Sequence, residues 1–557
     1  MKKISLIIAQ DLKELKFILK KVNLNENSKC LPLSLDTLLY CDLNKIPYIN
    51  PSSFLDNKIH KDGLVACEKL IKKYKEKNFY SETIFHYFIH QLRYYFNSCF
   101  FILSLIDILE KKISINHLFV SGWNSTDISP PNNYIISNIV EHLYYKKTIK
   151  IDNQKSVLDD FKSFEYYYPK NLTLKSNSYL FTNFGYNFRR LVFFLLKNNK
   201  RIVLLSFQDI SFLKKVIFKL LRINLVLVQR MKSRQKQKIN FPKIKFLYKN
   251  KNISNLLETR SNIMKPHLIN LINKCNFFDK FYDKFRPTTT LLNFIYGAER
   301  HGAYLAKKLK LNSFLISHGT IAKSFNKFDK IYKKNIAHNV FSGNATHYAI
   351  QTKIASNSLG THKIKGKPLN TGNLIFSESI SNKNSNNIVY AVTMKRYTST
   401  TFYGVEMYYE FYENLKSFDE FFKKSKFNLI VKLPPKFSDL KKHLKIKFKN
   451  LSFSNKKIDD VIENSFACIS YSSTVIEDSL CCKKPVVLFD KWKRYKHCNA
   501  CTKTTKINEP IYYANNLKKL EQSIISIKKS KNINFDKVLF HPGYKKNLEK
   551  TFQNFKN

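Results

Sequence analysis

Short apolar runs alternate with stretches of helical period along most of the chain. Ile4–Ala9, His117–Val120, Ile202–Ser206, Leu225–Val228, Leu291–Tyr296 and Ser313–Ser317 read as strands. Between them, segments such as Ile102–Leu109 and Ala303–Leu309 carry apolar positions at helical spacing. Strands covered on both faces read as near-continuous apolar runs, so the alternation predicts an α/β fold with parallel sheets. A very polar stretch, residues 377–387, then breaks the pattern and has linker composition. The strand pattern restarts at Ile388–Val392 and repeats at Leu429–Leu433, Ala467–Ser470 and Pro485–Phe489. The expected organisation is an α/β unit over residues 1–376, a linker over 377–387 and a second α/β unit over 388–525. A helical segment over 526–557 is expected to pack back on the first unit. No repeat of solenoid period is present.

Composition narrows the function classes. A chain of 557 residues with 44% hydrophobic side chains can bury several cores. Twelve glycines and fifteen prolines exclude collagen-like and linker-type architectures. The formal charge of +55 first suggests nucleic acid. Lysine, however, supplies 84 of the 96 cations, and Ile, Asn, Phe and Tyr are enriched with it, the signature of A+T-rich coding. Base readers lean on the arginine fork, and no zinc-finger, RNA-binding or basic-zipper pattern is present, so no specific nucleic-acid partner is expected. The apolar runs Cys99–Ile106 and Leu191–Leu196 are shorter than a membrane span, and the N-terminus reads as a first strand rather than a signal segment. Ten scattered cysteines form no disulfide framework. The expected compartment is the cytoplasm.

Paired α/β units make a cleft, and their ligands bind where strands end and helices begin. Four such junctions are unusual. Ser313–Ser317 runs directly into His318, Gly319 and Thr320, which places an imidazole, a backbone without Cβ and a hydroxyl at the cleft edge. The histidine either caps a turn or acts as a general base. Ala467–Ser470 leads through Tyr471 into Ser472, Ser473 and Thr474, with Glu477 three residues beyond. Thr474 and Glu477 fit a capping box, whereas three consecutive hydroxyls at a helix start also fit a diphosphate site, with Glu477 receiving a ribose diol. Thr393, Lys395 and Arg396 follow the strand at Ile388, and Lys432 ends the strand at Leu429. These cations converge on the same helix start.

At these junctions the chain resembles the GT-B glycosyltransferases of bacterial surface polysaccharides, closest to the CDP-glycerol:glycerophosphotransferase family of teichoic acid synthesis. The resemblance spans about residues 290–525. It rests on His318-Gly319-Thr320, on Val389-Tyr390-Ala391-Val392-Thr393 with Arg396, and on Tyr471-Ser472-Ser473. Asn339-Val340-Phe341-Ser342, read as preceding a helix, resembles a further family element. The family's second histidine, in an Arg-x-His motif, is replaced by Lys432-Leu433-Pro434. The resemblance implies two Rossmann-like units facing a cleft, the first on the acceptor side and the second binding the nucleotide donor. It makes His318 the catalytic base, with Gly319, Thr320, Thr393, Lys395, Arg396, Lys432, Ser472, Ser473, Thr474 and Glu477 on the donor.

Other features point less sharply. Glu299 opens a helix after the strand at Leu291 and is either a dipole-stabilised acid or an acceptor-side base. His497, Cys498 and Cys501 lie near Cys481-Cys482, but adjacent cysteines do not chelate well and no metal is expected. Between Arg189 and Lys251 there are eighteen Lys/Arg and one acid, Asp209. There Ile210, Leu213, Val216, Ile217, Leu220 and Leu221 recur at helical spacing among Lys214, Lys215, Lys219 and Arg222. That is either a helix packed on the first unit's sheet or a basic face on anionic lipid. The expected activity moves a sugar or polyol-phosphate group from a nucleotide-activated donor to a polysaccharide or lipid-linked acceptor, without cofactor. The alternatives are a non-hydrolysing sugar-nucleotide epimerase and a basic nucleic-acid-binding protein.

Overall fold

The computed structural model describes residues 3–77, 81–125, 134–152, 157–158, 163–169, 178–183, 188–232, 239–317, 320–340, 343–359, 361, 364, 366–376, 378, 385–392, 394, 406–540 and 544–553. Three parallel sheets of four or more strands organise them. The first runs β2-β1-β3-β4, from β1 (Lys3–Ala9), β2 (Ser28–Pro32), β3 (Ser114–Val120) and β4 (Thr148–Lys150). Two long helices, α1 (Asn57–Lys75) and α2 (Glu82–Lys112), lie between β2 and β3. Asp56 starts α1 by accepting hydrogen bonds from the Lys58 and Ile59 amides, at 2.9 and 3.1 Å. The apolar run Cys99–Ile106 is the middle of the 31-residue α2. By length and hydropathy α2 is long enough to cross a membrane, yet 78% of its most apolar window is buried inside the fold. It packs against α1, β3 and the helices of the second sheet, which accounts for its being apolar on nearly every side.

The second sheet has seven strands: β5 (Ser178–Phe181), β6 (Arg201–Ser206), β7 (Ile223–Leu227), β8 (Thr289–Leu292), β9 (Asn312–Leu315), β10 (His347–Ile350) and β11 (Lys367–Asn370). Their spatial order is β7-β6-β5-β8-β9-β10-β11. One face is covered by α3 (Arg189–Lys197), α4 (Phe212–Leu220) and the last helix, Tyr544–Gln553, through Leu191, Leu195, Phe218 and Leu548. Of the C-terminal segment, Leu548 packs on this sheet, whereas Phe535 and Leu539 pack with the core that includes Val389 and Cys468. The other face is covered by α5 (Ser254–Phe285) and α6 (Ala298–Lys308), through Phe277, Phe278, Phe281 and Leu305. The strand expected to reach Tyr296 stops at Leu292, and Gly297 at φ +59° turns the chain into α6. Phe294 and Ile295 read as strand because they fill the core below this loop.

The third sheet runs β14-β13-β12-β15-β16-β17, from β12 (Asn387–Ala391), β13 (Asn428–Lys432), β14 (Ser452–Ser454), β15 (Ala467–Ser470), β16 (Val486–Phe489) and β17 (Ile511–Ala514). In chain order both larger sheets read third, second, first, fourth, fifth, sixth, the second sheet adding a seventh strand at that edge, the doubly wound arrangement of dinucleotide-binding folds. The expected α/β architecture with two Rossmann-like units is therefore observed. The described residues of 1–376 carry two of these three parallel sheets, and most of 377–387 lies outside the described residues.

Two expected elements differ. Asn339–Ser342, expected to precede a helix, comes after most of α7 (Lys327–Val340), and the next described element is the strand β10. Helices α1 and α2 touch both larger sheets: Arg300 of α6 meets Glu82 at 2.7 Å, and Tyr409 of α8 (Tyr408–Lys423) meets His60 at 2.9 Å. The first sheet thus serves as a brace, a role that no motif in the sequence signals.

Candidate active site

In a doubly wound sheet the strand order reverses at one point, and the loops leaving the two strands there open a crevice. In the third sheet that point lies between β12 and β15. The chain leaves β15 through Tyr471, Ser472 and Ser473 into α9 (Val475–Cys481). The expected capping box is not formed. Thr474 has helical backbone angles and no side-chain cap bond, and the Ser473 hydroxyl accepts from the Val475 amide at 3.4 Å instead. Glu477 turns away from the helix start to His497, whose Nε2 lies 3.1 Å from Oε1. Glu477 is 0% exposed, so the residue expected to face a ribose is inside the fold.

Buried polar atoms concentrate here. The Tyr471 hydroxyl, Ser472 Oγ, Glu477 Oε2, His497 Nδ1 and Glu406 Oε2 have no hydrogen-bond partner among the described residues. Each such group costs on the order of 1–3 kcal/mol if left unpaired, so a cluster of them is unusual in a region with only a structural role. The surrounding frame is fixed. Arg494 donates to Glu410 from Nε at 3.1 Å and again from Nη2, fully buried, and its guanidinium lies 5.4 Å from the Tyr471 ring centre. Asp490 accepts from the amides of Arg494 and Tyr495 and from the Tyr513 hydroxyl. Glu406 accepts from Tyr390 and Asn414, and burial pushes its pKa up to about 8.

The second sheet reverses between β5 and β8, and Glu299 sits there. It lies in the first turn of α6 and accepts from the Asn183 amide and, at 3.5 Å, from the Thr182 hydroxyl, both just beyond β5. Burial pushes its pKa up to about 7, against the opposing pull of those two donors and of Lys274. Burial in turn lowers the Lys274 pKa. A cavity of about 1020 Å³ opens over these groups, with Ser206, Asp209 and Lys214 on its far wall. A carboxyl group that titrates near neutrality inside a cavity has the properties of a general base.

The segment carrying the His-Gly-Thr motif joins the two. Ser317 is held through its carbonyl by Gln351 at 2.8 Å. Ile321 packs in the core beneath the second sheet, and Ala322 packs with Val389, Cys468 and Ile476 of the third. Buried Lys333 of α7 meets Asp329 at 3.0 Å and donates to the carbonyls of Lys323 at 2.9 Å and His497 at 3.4 Å. A second cavity of about 330 Å³ lies between the two sheets, lined by Lys323 and Asn357 on one side and Asn499, Lys506 and Glu509 on the other.

His318, Gly319, Thr393, Lys395 and Arg396 lie outside the described residues, and Thr320 is half-buried. Ser472, Ser473 and Thr474 lie together at one switch point, whereas Glu477 faces His497 inside the fold. Lys432 is two strands away and donates to the adjacent Leu433 carbonyl. Glu299 stands at the other switch point. Thr182, Asn183 and Lys274 were not legible as site residues. Their only signal is a Thr-Asn pair directly after an apolar run. His497 entered the sequence reading only as a metal candidate, and here it serves Glu477. Among the described residues no group of three His, Cys, Asp or Glu side chains is placed to hold a metal.

No protein-family model and no curated protein matches the chain. Among solved structures, the chain is similar to the UDP-GlcNAc 2-epimerase of Methanocaldococcus jannaschii at 13% identity and a TM-score of 0.39, over 68% of this chain and 99% of that one. The UDP-GlcNAc 2-epimerase of Neisseria meningitidis, bound to UDP-GlcNAc, matches at 12% identity and a TM-score of 0.37, over 68% and 99%. The wall teichoic acid polymerase TagF, soaked with CDPG, matches at 11% identity and a TM-score of 0.37, over 69% and 89%. The fold assignment rests on the strand orders of the two larger sheets.

Proposed function

We propose that the protein is a group-transfer enzyme that moves a sugar or polyol-phosphate group from a nucleotide-activated donor to a hydroxyl of a polysaccharide or lipid-linked acceptor. The carrying observation is the group of unpaired buried polar atoms at the switch point of the third sheet, and the second sheet's own switch point holds a carboxyl group that titrates near neutrality. The donor's diphosphate binds at Ser472, Ser473 and Thr474, with Thr320, Thr393, Lys395, Arg396 and Lys432 supplying further donors and positive charge. Glu299 takes the proton of the acceptor hydroxyl as that oxygen bonds to the transferred group and the bond to the nucleotide breaks. The sequence reading puts the base at His318. The cavity favours Glu299, and His318, after the neighbouring strand β9, acts on the leaving nucleotide.

A thermal-shift panel of CDP, UDP, GDP and CMP tests the donor half. One base is expected to raise the melting temperature well above the others, and a flat panel contradicts the reading. Turnover is expected to persist in excess EDTA, because cations and backbone amides neutralise the leaving group. Conversion of a nucleotide sugar to its epimer with no acceptor present would instead favour an epimerase.

A further inference from the structure

Helix α4 has its apolar side outward. Phe212, Leu213 and Leu220 are 81%, 68% and 77% exposed, and Val216 and Ile217 are also exposed. Only Phe218 of this helix is buried against the sheet, with Ile210 and Leu221 half-buried at its ends. At 100° per residue, Leu213, Val216, Ile217 and Leu220 share one face and Phe218 points to nearly the opposite one. Of the two readings of this stretch, packing of the apolar stripe on the sheet is therefore not observed. Phe193, on α3 over the same face of the sheet, is exposed as well. Contiguous exposed apolar side chains of this size mark a surface that is covered by something else.

We propose that α4 and the outward side of α3 form a docking surface for an anionic lipid bilayer. Charge selects this occupant. Lys214, Lys215, Lys219 and Arg222 are exposed around the apolar stripe, the helix carries no acid, and the nearest acid, Asp209, pairs with Arg230 at 2.9 Å. A second copy would bring the same cations together in a chain of net charge +55. A nucleic acid would pair with the lysines and leave the phenylalanine and leucines in water. Anionic headgroups over an acyl layer satisfy both sets at once, with the lysine stems spanning the boundary. Ile210, Ser211 and Lys214 also border the cavity that holds Glu299, so a bilayer on α4 meets the mouth of that cavity.

The test is co-sedimentation of the full chain with vesicles of phosphatidylcholine alone and of phosphatidylcholine with one quarter phosphatidylglycerol. Wild type is expected to bind the anionic vesicles at least tenfold more tightly. Phe212→Ser, Leu213→Ser and Leu220→Ser combined are expected to weaken that binding at least tenfold while leaving the circular dichroism and melting temperature unchanged. Replacing Lys442 and Lys445, exposed lysines beside the third sheet, is expected to leave binding intact. Equal binding by wild type and the triple variant overturns the proposal, as does binding that 0.5 M salt abolishes entirely. A wild-type dimer that the triple variant converts to monomer, without loss of vesicle binding, assigns the face to self-association and also overturns it.

Discussion

Glu299 is half-buried and has an open cavity in front of it. Its ordinary pKa near 4.5 rises to about 7, so it is largely protonated at pH 5 and ionised at pH 8. A base must be ionised to accept a proton, so turnover is expected to rise with pH through about 7. Glu299→Gln keeps the bonds to Asn183 and Thr182 within reach but cannot accept a proton. It is expected to reduce kcat about 10²- to 10⁴-fold and to abolish the rising limb, read from the pH dependence of kcat. His318→Ala is expected to lower turnover while retaining that limb. The reverse result, with the limb lost in His318→Ala and retained in Glu299→Gln, returns the base to the histidine.

At the level of elements, the third sheet's crevice depends on one buried clamp. Arg494, after β16, grips Glu410 in the first turn of α8 and underlies Tyr471, so three segments are tied at one point. Removing one member strands a buried charge, and Arg494→Ala is expected to cost about 3–5 kcal/mol in urea unfolding. Four strands of this sheet were legible because each is an apolar run bounded by polar residues, whereas Ser452–Ser454 and Ile511–Ala514 were not read as strands, and Ala467–Ser470 is observed with the bounds it was given. The hydroxyl run after it was legible for the same reason. The clamp was not, because Arg494 and Glu410 lie 84 positions apart and neither belongs to a motif. Helix α4 was legible as a helix but not in its orientation, since periodicity reports which side is apolar and not what covers it. The β5 strand was missed because only three of its residues, Tyr179, Leu180 and Phe181, are apolar.

For the whole molecule, several buried carboxyl groups have raised pKa values. Glu14 rises to about 7, Glu406 to about 8 and Asp490 to about 6, each chiefly by burial. The folded state binds more protons than the unfolded chain between about pH 4.5 and 8, so this contribution is present at low pH and lost as pH rises through the folded pKa values. The carboxyls' contribution to the unfolding free energy is expected to fall between pH 5 and pH 8, and in urea unfolding at the two pH values Glu14→Gln is expected to remove about 3 kcal/mol of that fall. The central claim, that the third sheet's switch point holds a nucleotide-activated donor, is tested most directly at Ser472. Its hydroxyl is buried and bonds to nothing among the described residues, so Ser472→Ala is expected not to lower the melting temperature of the unliganded protein. In calorimetry with the nucleoside diphosphate that the wild type selects, the same variant is expected to bind about ten- to hundredfold more weakly. Unchanged affinity, or a loss of unliganded stability that matches the loss of affinity, would contradict the account.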